Sequence, residues 1–301
     1  MYSLINMAQS EFCTVSVLEN NESLIGTASA NTSIWFLLEV PRPWAAKALV
    51  ENDLPMHVNS TLAGWVRSTP KSRAVFIKKS HRPVASPSLY VAITEDNDQR
   101  LYRFSLKAEY ADLAEVPLDA ILMNRTIDAV VIEEPLYLVC TNGKRDNCCT
   151  KFGLPLIKAF EDIGEQNVWQ CTHLGGHKYA AVVGVYPTGL YYQLFNPANV
   201  SVFKQSIEEN KMPLKGLRGR TAYSGAAQAA EYFLRQHSTN FQIDAYTLLS
   251  AESHDSHWQI IFQNGVAQHM VELTVTMSEP TLSGCSGKLK PSPRYKLVAI
   301  T

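Results

Sequence analysis

Short apolar runs, each stopped by a breaker within about eight residues, constrain this chain more than any other feature: such runs are strands, and the periodic stretches between them decide how the strands connect. Residues 33–40 (SIWFLLEV) are a β-branched and aromatic run that ends at Pro41-Arg42-Pro43 and read as a buried strand. A helix is expected over residues 44–51. Alternating apolar runs follow at residues 73–78 (RAVFIK), 89–93 (LYVAI) and 101–106 (LYRFSL), the last two joined by a polar hairpin loop over 94–100. Helical periodicity returns over residues 110–122.

The second half repeats the pattern. Leu136–Cys140 (LYLVC) is a strand, residues 151–163 carry a helical stripe of Leu156, Ile157, Phe160 and Ile163, and Val168–Cys171 is a strand again. Residues 179–186 and 190–195 flank Pro187-Thr188-Gly189, a hairpin turn, and a helix over 224–236 starts at Ser224 as N-cap. Each half therefore runs βαβ and then ββα, which is the thioredoxin-like arrangement. The expected fold class is α/β (α+β) with two thioredoxin-like halves. Residues 242–276 add two or three strands that extend a sheet edge, and residues 278–301, rich in Ser, Pro, Gly and Lys, form a tail.

With 301 residues, and roughly 100 to 200 residues per domain, two domains are expected. Lys and Arg number 27 and Asp and Glu 28, for a net charge of −1, which argues against a nucleic-acid partner held by bulk charge. No apolar run approaches the roughly 20 residues of a membrane span. The N-terminal residues show neither a secretory nor an organelle-transit pattern, so a cytoplasmic location is expected. The 6 cysteines are too few and too uneven for a disulfide scaffold: Cys140, Cys148, Cys149 and Cys171 bunch in mid-chain, with Cys13 and Cys285 far away.

That bunch carries the chemistry. CTNGKRDNCC follows one strand and CTHLGGH ends another, and both loops leave the C-terminal ends of their strands, where sites on α/β sheets lie. The pair Gly175-Gly176 disfavours a helix between His173 and His177, so the histidines belong to a tight loop. Two thiolates and two imidazoles suit zinc or a [2Fe-2S] cluster of mixed ligation. The eight residues between Cys140 and Cys149 span a two-iron cluster more easily than a single ion, although spacing decides this only weakly.

CTNGKRDNCC, the KFG after it, VWQCTHLGGHKYA and VYPTGLYY closely resemble the sucrase/ferredoxin-like proteins. So do GTASANTSIWFLLEVPRPW, Leu54-Pro55, LRGRTAYSGAAQAAEYFLR and the tail around Cys285, so the resemblance covers nearly the whole chain. It departs at PRPWAAKA, where many relatives have a glycine after the tryptophan; this touches Trp44 and Ala45 only. The resemblance implies a thioredoxin-like ferredoxin domain over residues 126–277; the N-terminal α/β domain over 1–125, which holds no proposed ligand, reads as a partner or scaffold unit, and residues 278–301 as the tail. Its C-x8-C and H-x-G-G-H patterns imply a [2Fe-2S] cluster ligated by Cys140, Cys149, His173 and His177.

The implied function is electron transfer with a redox partner protein, a reductase or an acceptor, and with neither nucleic acid nor membrane as partner. Neutral imidazole ligands raise the potential, as in Rieske centres at about −150 to +300 mV against roughly −400 mV for plant-type ferredoxins. Proton exchange at the imidazoles would accompany the electron where their second nitrogens meet solvent. Lys144 and Arg145 would favour the reduced state and steer an acidic partner.

Other classes stand beside this one: a zinc-stabilised binding module on the same four residues, or a thiol oxidoreductase using Cys148 and Cys149, which lacks a C-x-x-C. Sucrose cleavage needs two opposed carboxylates, and no spacing marks a pair among Asp146, Glu161 and Asp162. Cys148 reads as packing or a spare thiol, on the argument that side chains alternate along an extended segment. Cys171 reads as buried apolar surface, and Cys13 and Cys285 as isolated. Trp35, Trp44, Trp65, Trp169 and Trp258 read as core. His57, His81, His237 and His269 show no ligand spacing, and His254-x-x-His257 reads as solvated. Arg218 and Arg220 read as loop salt-bridge partners, with contact to the cluster region as the minor alternative.

Overall fold

The computed structural model describes residues 12–79, 82 and 84–301; the N-terminal residues read above for targeting, and His81, lie outside them. Behind helix α1 (Cys13–Glu19), strand β1 (Ile34–Glu39) sets the layering: Phe36 and Leu38 face one side, Trp35 and Leu37 the other, and all four are buried. Helix α2 (Met56–Ser68) crosses to β2 (Ser72–Lys78), parallel to β1. On the other side of β1 lie β3 (Ser88–Glu95) and β4 (Asp98–Ser105), each antiparallel to its neighbour. Two single turns, Ala108–Tyr110 and Leu113–Glu115, precede the short α3 (Leu118–Leu122), and β5 (Val130–Val131) pairs with β4.

The second half opens with β6 (Leu136–Cys140), α4 (Asn147–Asp162) and β7 (Val168–Cys171), with β6 and β7 parallel. Strands β8 (Val182–Tyr186) and β9 (Leu190–Gln193) form the hairpin around Pro187-Thr188-Gly189. Then come α5 (Val200–Glu208), β10 (Leu217–Arg220) and α6 (Gly225–Ser238), whose N-cap Ser224 accepts from the Ala227 N–H. The two halves share one strand order, β2-β1-β3-β4 and β7-β6-β8-β9, which is the thioredoxin-like order in both. Their edge strands β2 and β7 pair antiparallel at Ile77–Cys171 and Lys78–Gln170 and so join both halves into one 10-stranded sheet.

That sheet curls on itself. Trp35 on β1 and Tyr186 on β8 are separated by three intervening strands, which in a flat sheet would hold them about 19 Å apart. Their rings lie 5.4 Å apart, and Trp35 also meets Tyr191 at 5.9 Å. The concave faces of the halves therefore pack against each other through Trp35, Leu37, Val75, Leu138, Cys140, Trp169 and Tyr186. The convex faces are covered by α2 on the first half and by α4 and α5 on the second.

Several local expectations need correction. Residues 44–51 form turns rather than a helix, held by Trp44 Nε1 donating to the Val40 carbonyl at 3.1 Å and Asn52 Nδ2 to that of Ala48 at 3.0 Å. The crossover helix instead starts after Pro55, whose ring biases Leu54 away from helical backbone. The stretch 110–122 is mostly single turns. The β3–β4 hairpin is tight, with Glu95 opposite Asp98.

Strands β11 (Thr247–His254), β12 (His257–Asn264) and β13 (Ala267–Met277) do not extend the large sheet. With the ribbon β14 (Thr281–Leu282) and β15 (Leu289–Lys290) between them, β13 and β16 (Pro293–Ile300) pair, giving a separate sheet of order β11-β12-β13-β16. Its apolar face, with Ile260, Phe262, Val271 and Leu273, is covered by Ala227, Ala230 and Leu234 of α6. Among the described residues, no helix is long and apolar enough to cross a membrane.

A buried ion network fastens α6 to the large sheet. Glu231 Oε1 accepts from Arg220 Nη2 at 3.0 Å and Arg235 Nη2 at 2.9 Å, and both guanidiniums also donate to the Ile243 carbonyl. Burial would push the Glu231 carboxyl up, but Arg220 and Arg235 overcome it and hold it below the ordinary value. Glu231→Gln should cost about 3–5 kcal/mol in urea unfolding at pH 7, because buried Arg235 loses its charge partner and Arg220 keeps only Asp96, at 3.7 Å. A folded-state value below the unfolded one means this contribution is present above the unfolded glutamate pKa and fades as pH falls through the folded one. A variant as stable as the wild type at pH 7 would remove the network from the account.

Candidate metal centre

The loop after β6 is closed by Asp146, whose carboxylate accepts from the Cys148 N–H at 3.0 Å and caps α4. Cys148 and Cys149 thus lie on the first helical turn, not on the extended segment expected. Successive helix positions diverge by about 100°, so the two sulfurs still part. Cys149 turns into the concave core beside Cys140, whereas Cys148 packs with Cys13 and Cys285, the two residues read as isolated. One turn on, Gly153 lets α4 lie against the end of β6: a Cβ there would collide with the Cys140 carbonyl oxygen.

Cys140 and Cys171 are register partners at the ends of β6 and β7, so the histidine loop leaves the sheet beside the cysteine loop. Gly175 (φ +107) and Gly176 (φ +70) hold it in left-handed backbone. Two arginines grip its carbonyls. Arg73 on β2 donates to His173 O at 2.6 Å and Leu174 O at 2.9 Å, and Ser29 Oγ also donates to Leu174 O at 2.6 Å. Arg218 on β10, 1 % exposed, donates to Gly175 O at 3.1 Å. Contact with the loop is thus the outcome for Arg218, while Arg220 is the salt-bridge partner.

Ligand atoms of Cys140, Cys149 and His173 all lie within 4.8 Å of one another. His177 stands outside this trio but next to it, its ring 5.0 Å from that of His173. The Nδ1 atoms of both histidines are buried without a hydrogen-bond partner, a state that costs roughly 1–3 kcal/mol each unless something else accepts the lone pair. A metal would. His177 Nε2 faces the Asp146 carboxylate at 3.7 Å.

The electrostatics agree with a cation site. A hydrogen bond from Cys149 holds the Cys140 thiol well below its ordinary value, helped by His173 and the Leu174 N–H, and the same bond pushes Cys149 up. Burial pulls His177 down, leaving it neutral and able to ligate. Outside, exposed Lys144, Arg145, Lys288 and Lys290 rim a shallow depression that His177 lines.

Sequence reasoning missed Arg73, which nothing in a strand pattern marks, and the capping role of Asp146, which Asp-Asn ahead of a periodic run does signal. Asp146 stands at the opposite end of α4 from Glu161 and Asp162, about 20 Å away at 1.5 Å per residue and beyond the roughly 5–9.5 Å of glycosidase carboxylates. Trp35, Trp44 and Trp169 are buried, Trp65 and Trp258 partly so, and His254 and His257 are exposed across a hairpin turn.

A family model described as sucrase/ferredoxin-like matches residues 24–219, well over half of the chain and including both loops. Neither the curated proteins nor the solved structures give a match.

Gly176→Ala should destabilise the protein more than Gly164→Ala in urea unfolding. Both positions have left-handed backbone, at about 1–2 kcal/mol for a residue with a Cβ, but only at Gly176 would that Cβ strike the Arg218 guanidinium; nothing lies within 4 Å at Gly164. Equal losses would mean that Arg218 does not constrain the loop.

Proposed function

The chain belongs to the sucrase/ferredoxin-like family, and from that premise we propose that it is an electron-transfer protein whose Cys140, Cys149, His173 and His177 hold a [2Fe-2S] cluster. Bound there, the cluster would supply a one-electron redox couple. The observation that carries the reading is the meeting of Cys140, Cys149 and His173 with His177 beside them, both histidines having a buried Nδ1 without a hydrogen-bond partner.

The chain's own residues do the rest. Cys140 and Cys149 bring anionic sulfur, and His173 and His177 bring neutral nitrogen, which raises the potential above that of an all-thiolate site. Asp146 Oδ2 faces Nε2 of His177, the nitrogen that carries the proton when Nδ1 is a ligand. Arg73 and Arg218 fix the histidine loop and add positive charge that favours the reduced state. The rim of Lys144, Arg145, Lys288 and Lys290 suits an acidic redox partner, whose approach the local field would accelerate at low salt. Residues 1–125 serve as the unit that supports this centre and docks that partner.

Anaerobic purification with iron and sulfide analysis tests the proposal. The protein should be red-brown with about two irons and two sulfides per chain. His173→Cys and His177→Cys should each retain a cluster at a lower potential, since thiolate replaces imidazole. A colourless zinc protein, or electron paramagnetic resonance spectra unchanged in both variants, would refute it.

A further inference from the structure

On the other side of the Asp146 cap, three thiols from distant parts of the chain meet. Cys13 Sγ lies 3.5 Å from Cys148 Sγ, Cys148 Sγ 3.3 Å from Cys285 Sγ, and Cys285 Sγ 3.7 Å from Cys13 Sγ. Asp146 Oδ1 closes the group at 3.1 Å from Cys285 Sγ and 3.9 Å from Cys13 Sγ, and all four ligand atoms lie within 4.8 Å of one another. We propose that Cys13, Cys148, Cys285 and Asp146 form a second metal site, separate from the Cys140–His177 centre, that takes a single zinc ion.

Distance and donor type both lead to this. Zinc–sulfur bonds of about 2.3 Å in a tetrahedron put the sulfurs about 3.8 Å apart, so each edge of the triangle is close to its liganded length. A disulfide would need about 2.05 Å between two of them and would leave the third thiol and the carboxylate without a role. Three soft thiolates with one hard oxygen match zinc, whereas copper(I) would gain little from the carboxylate and calcium or magnesium would refuse the sulfurs.

The surroundings fit a closed, structural site. Cys13, Cys148 and Asp146 are buried, and Phe12, Phe152, Ala180 and Leu282 pack beside the sulfurs, with Cys285 partly exposed at the outer edge. The backbone N–H of Thr14 points at Cys148 and that of Cys13 at Cys285, as outer-shell donors do for zinc-bound thiolates. The carboxylate is itself held in place by the N–H groups of Cys148 and of Cys285, the latter at 2.8 Å.

Such an ion would clip α1, the start of α4 and the C-terminal segment together, closing very long loops. It would also seat Gly284 against His177, where a Cβ would collide with Nε2. This site does not depend on the iron–sulfur reading, and its test keeps the two apart.

Full-length wild type, Cys285→Ser and Cys13→Ser are purified anaerobically from zinc-supplemented cultures, and iron and zinc are counted per chain. Cys285, half-exposed on the tail, is the variant most apt to fold. Each variant should carry about one zinc fewer than wild type, as a four-ligand site that loses a thiolate requires, with iron unchanged. That difference holds whether the other centre contains a cluster, zinc or nothing. After chelation, wild type titrated with Co2+ should develop the near-ultraviolet thiolate charge-transfer and visible bands of tetrahedral cobalt, and Cys285→Ser should saturate at about one Co2+ per chain fewer, with correspondingly weaker bands, whatever the other centre binds. Equal zinc in wild type and both variants, or a disulfide between any two of the three cysteines in non-reducing peptide maps, would overturn the proposal. So would a wild type that binds neither zinc nor Co2+.

Discussion

The Asp146 carboxylate takes the Cys148 N–H and thereby starts α4 at one defined residue, and the turn it starts sends Cys148 and Cys149 in different directions. A helix begun one residue later would rotate each sulfur by about 100° and dissolve both groupings at once. Oδ2 of the same carboxylate faces His177 and accepts from the Cys285 N–H, so one side chain fixes the cap, the third thiol and the far side of a candidate ligand. Burial works against its charge, yet hydrogen bonds from Cys285 and Cys148 and the nearby His177 keep it ionised below the ordinary carboxyl value. Replacing it by a neutral cap would preserve the helix start and remove the negative charge that both groupings share.

The curl of the large sheet makes the first half part of the site. Arg73 and Ser29 belong to that half and hold the histidine loop, and Asn142 of the cysteine loop donates to the Ala45 carbonyl at 3.0 Å. These contacts exist because β2 pairs with β7 edge to edge, which brings the C-terminal end of β2 beside that of β7, although the chain separates them by most of a thioredoxin-like unit. The turn segment 44–51 that replaces the expected helix is what reaches Asn142.

Strands, the doubled topology and both loops were legible because they rest on period and punctuation: SIWFLLEV before Pro41, LYLVC before Thr141-Asn142-Gly143, and Pro187-Thr188-Gly189 between two apolar runs. Helix α2 was not, since Val58, Thr61, Gly64 and Val66 blur its stripe, and it is the burial of Val58 and Leu62 in the core that contains Phe36 and Phe76 that sustains it. The separate C-terminal sheet was hidden for a similar reason. A run such as WQIIF shows that it is a strand, not which sheet receives it, and α6 decides that by covering Ile260 and Phe262. The meeting of Cys13 with Cys148 and Cys285 has no local signature at all, because it is made by the closure of the chain's two ends over α4.

The charge pattern connects these parts. The chain is nearly neutral, yet among the described residues neither Arg73 nor the fully buried Arg218 has a carboxylate within ion-pair distance. A buried guanidinium without an opposite charge costs several kcal/mol, and hydrogen bonds to the carbonyls of Thr27 and Gly175 satisfy its protons but not its charge. Elsewhere this protein solves the same problem with Glu231 between Arg220 and Arg235. At the histidine loop burial pulls Arg218 down, and Tyr179, whose ring lies 4.8 Å from the guanidinium, Tyr191 and Cys140 offset it in that order. Lysine in place of either arginine would keep the charge but lose the fork that spans neighbouring carbonyls.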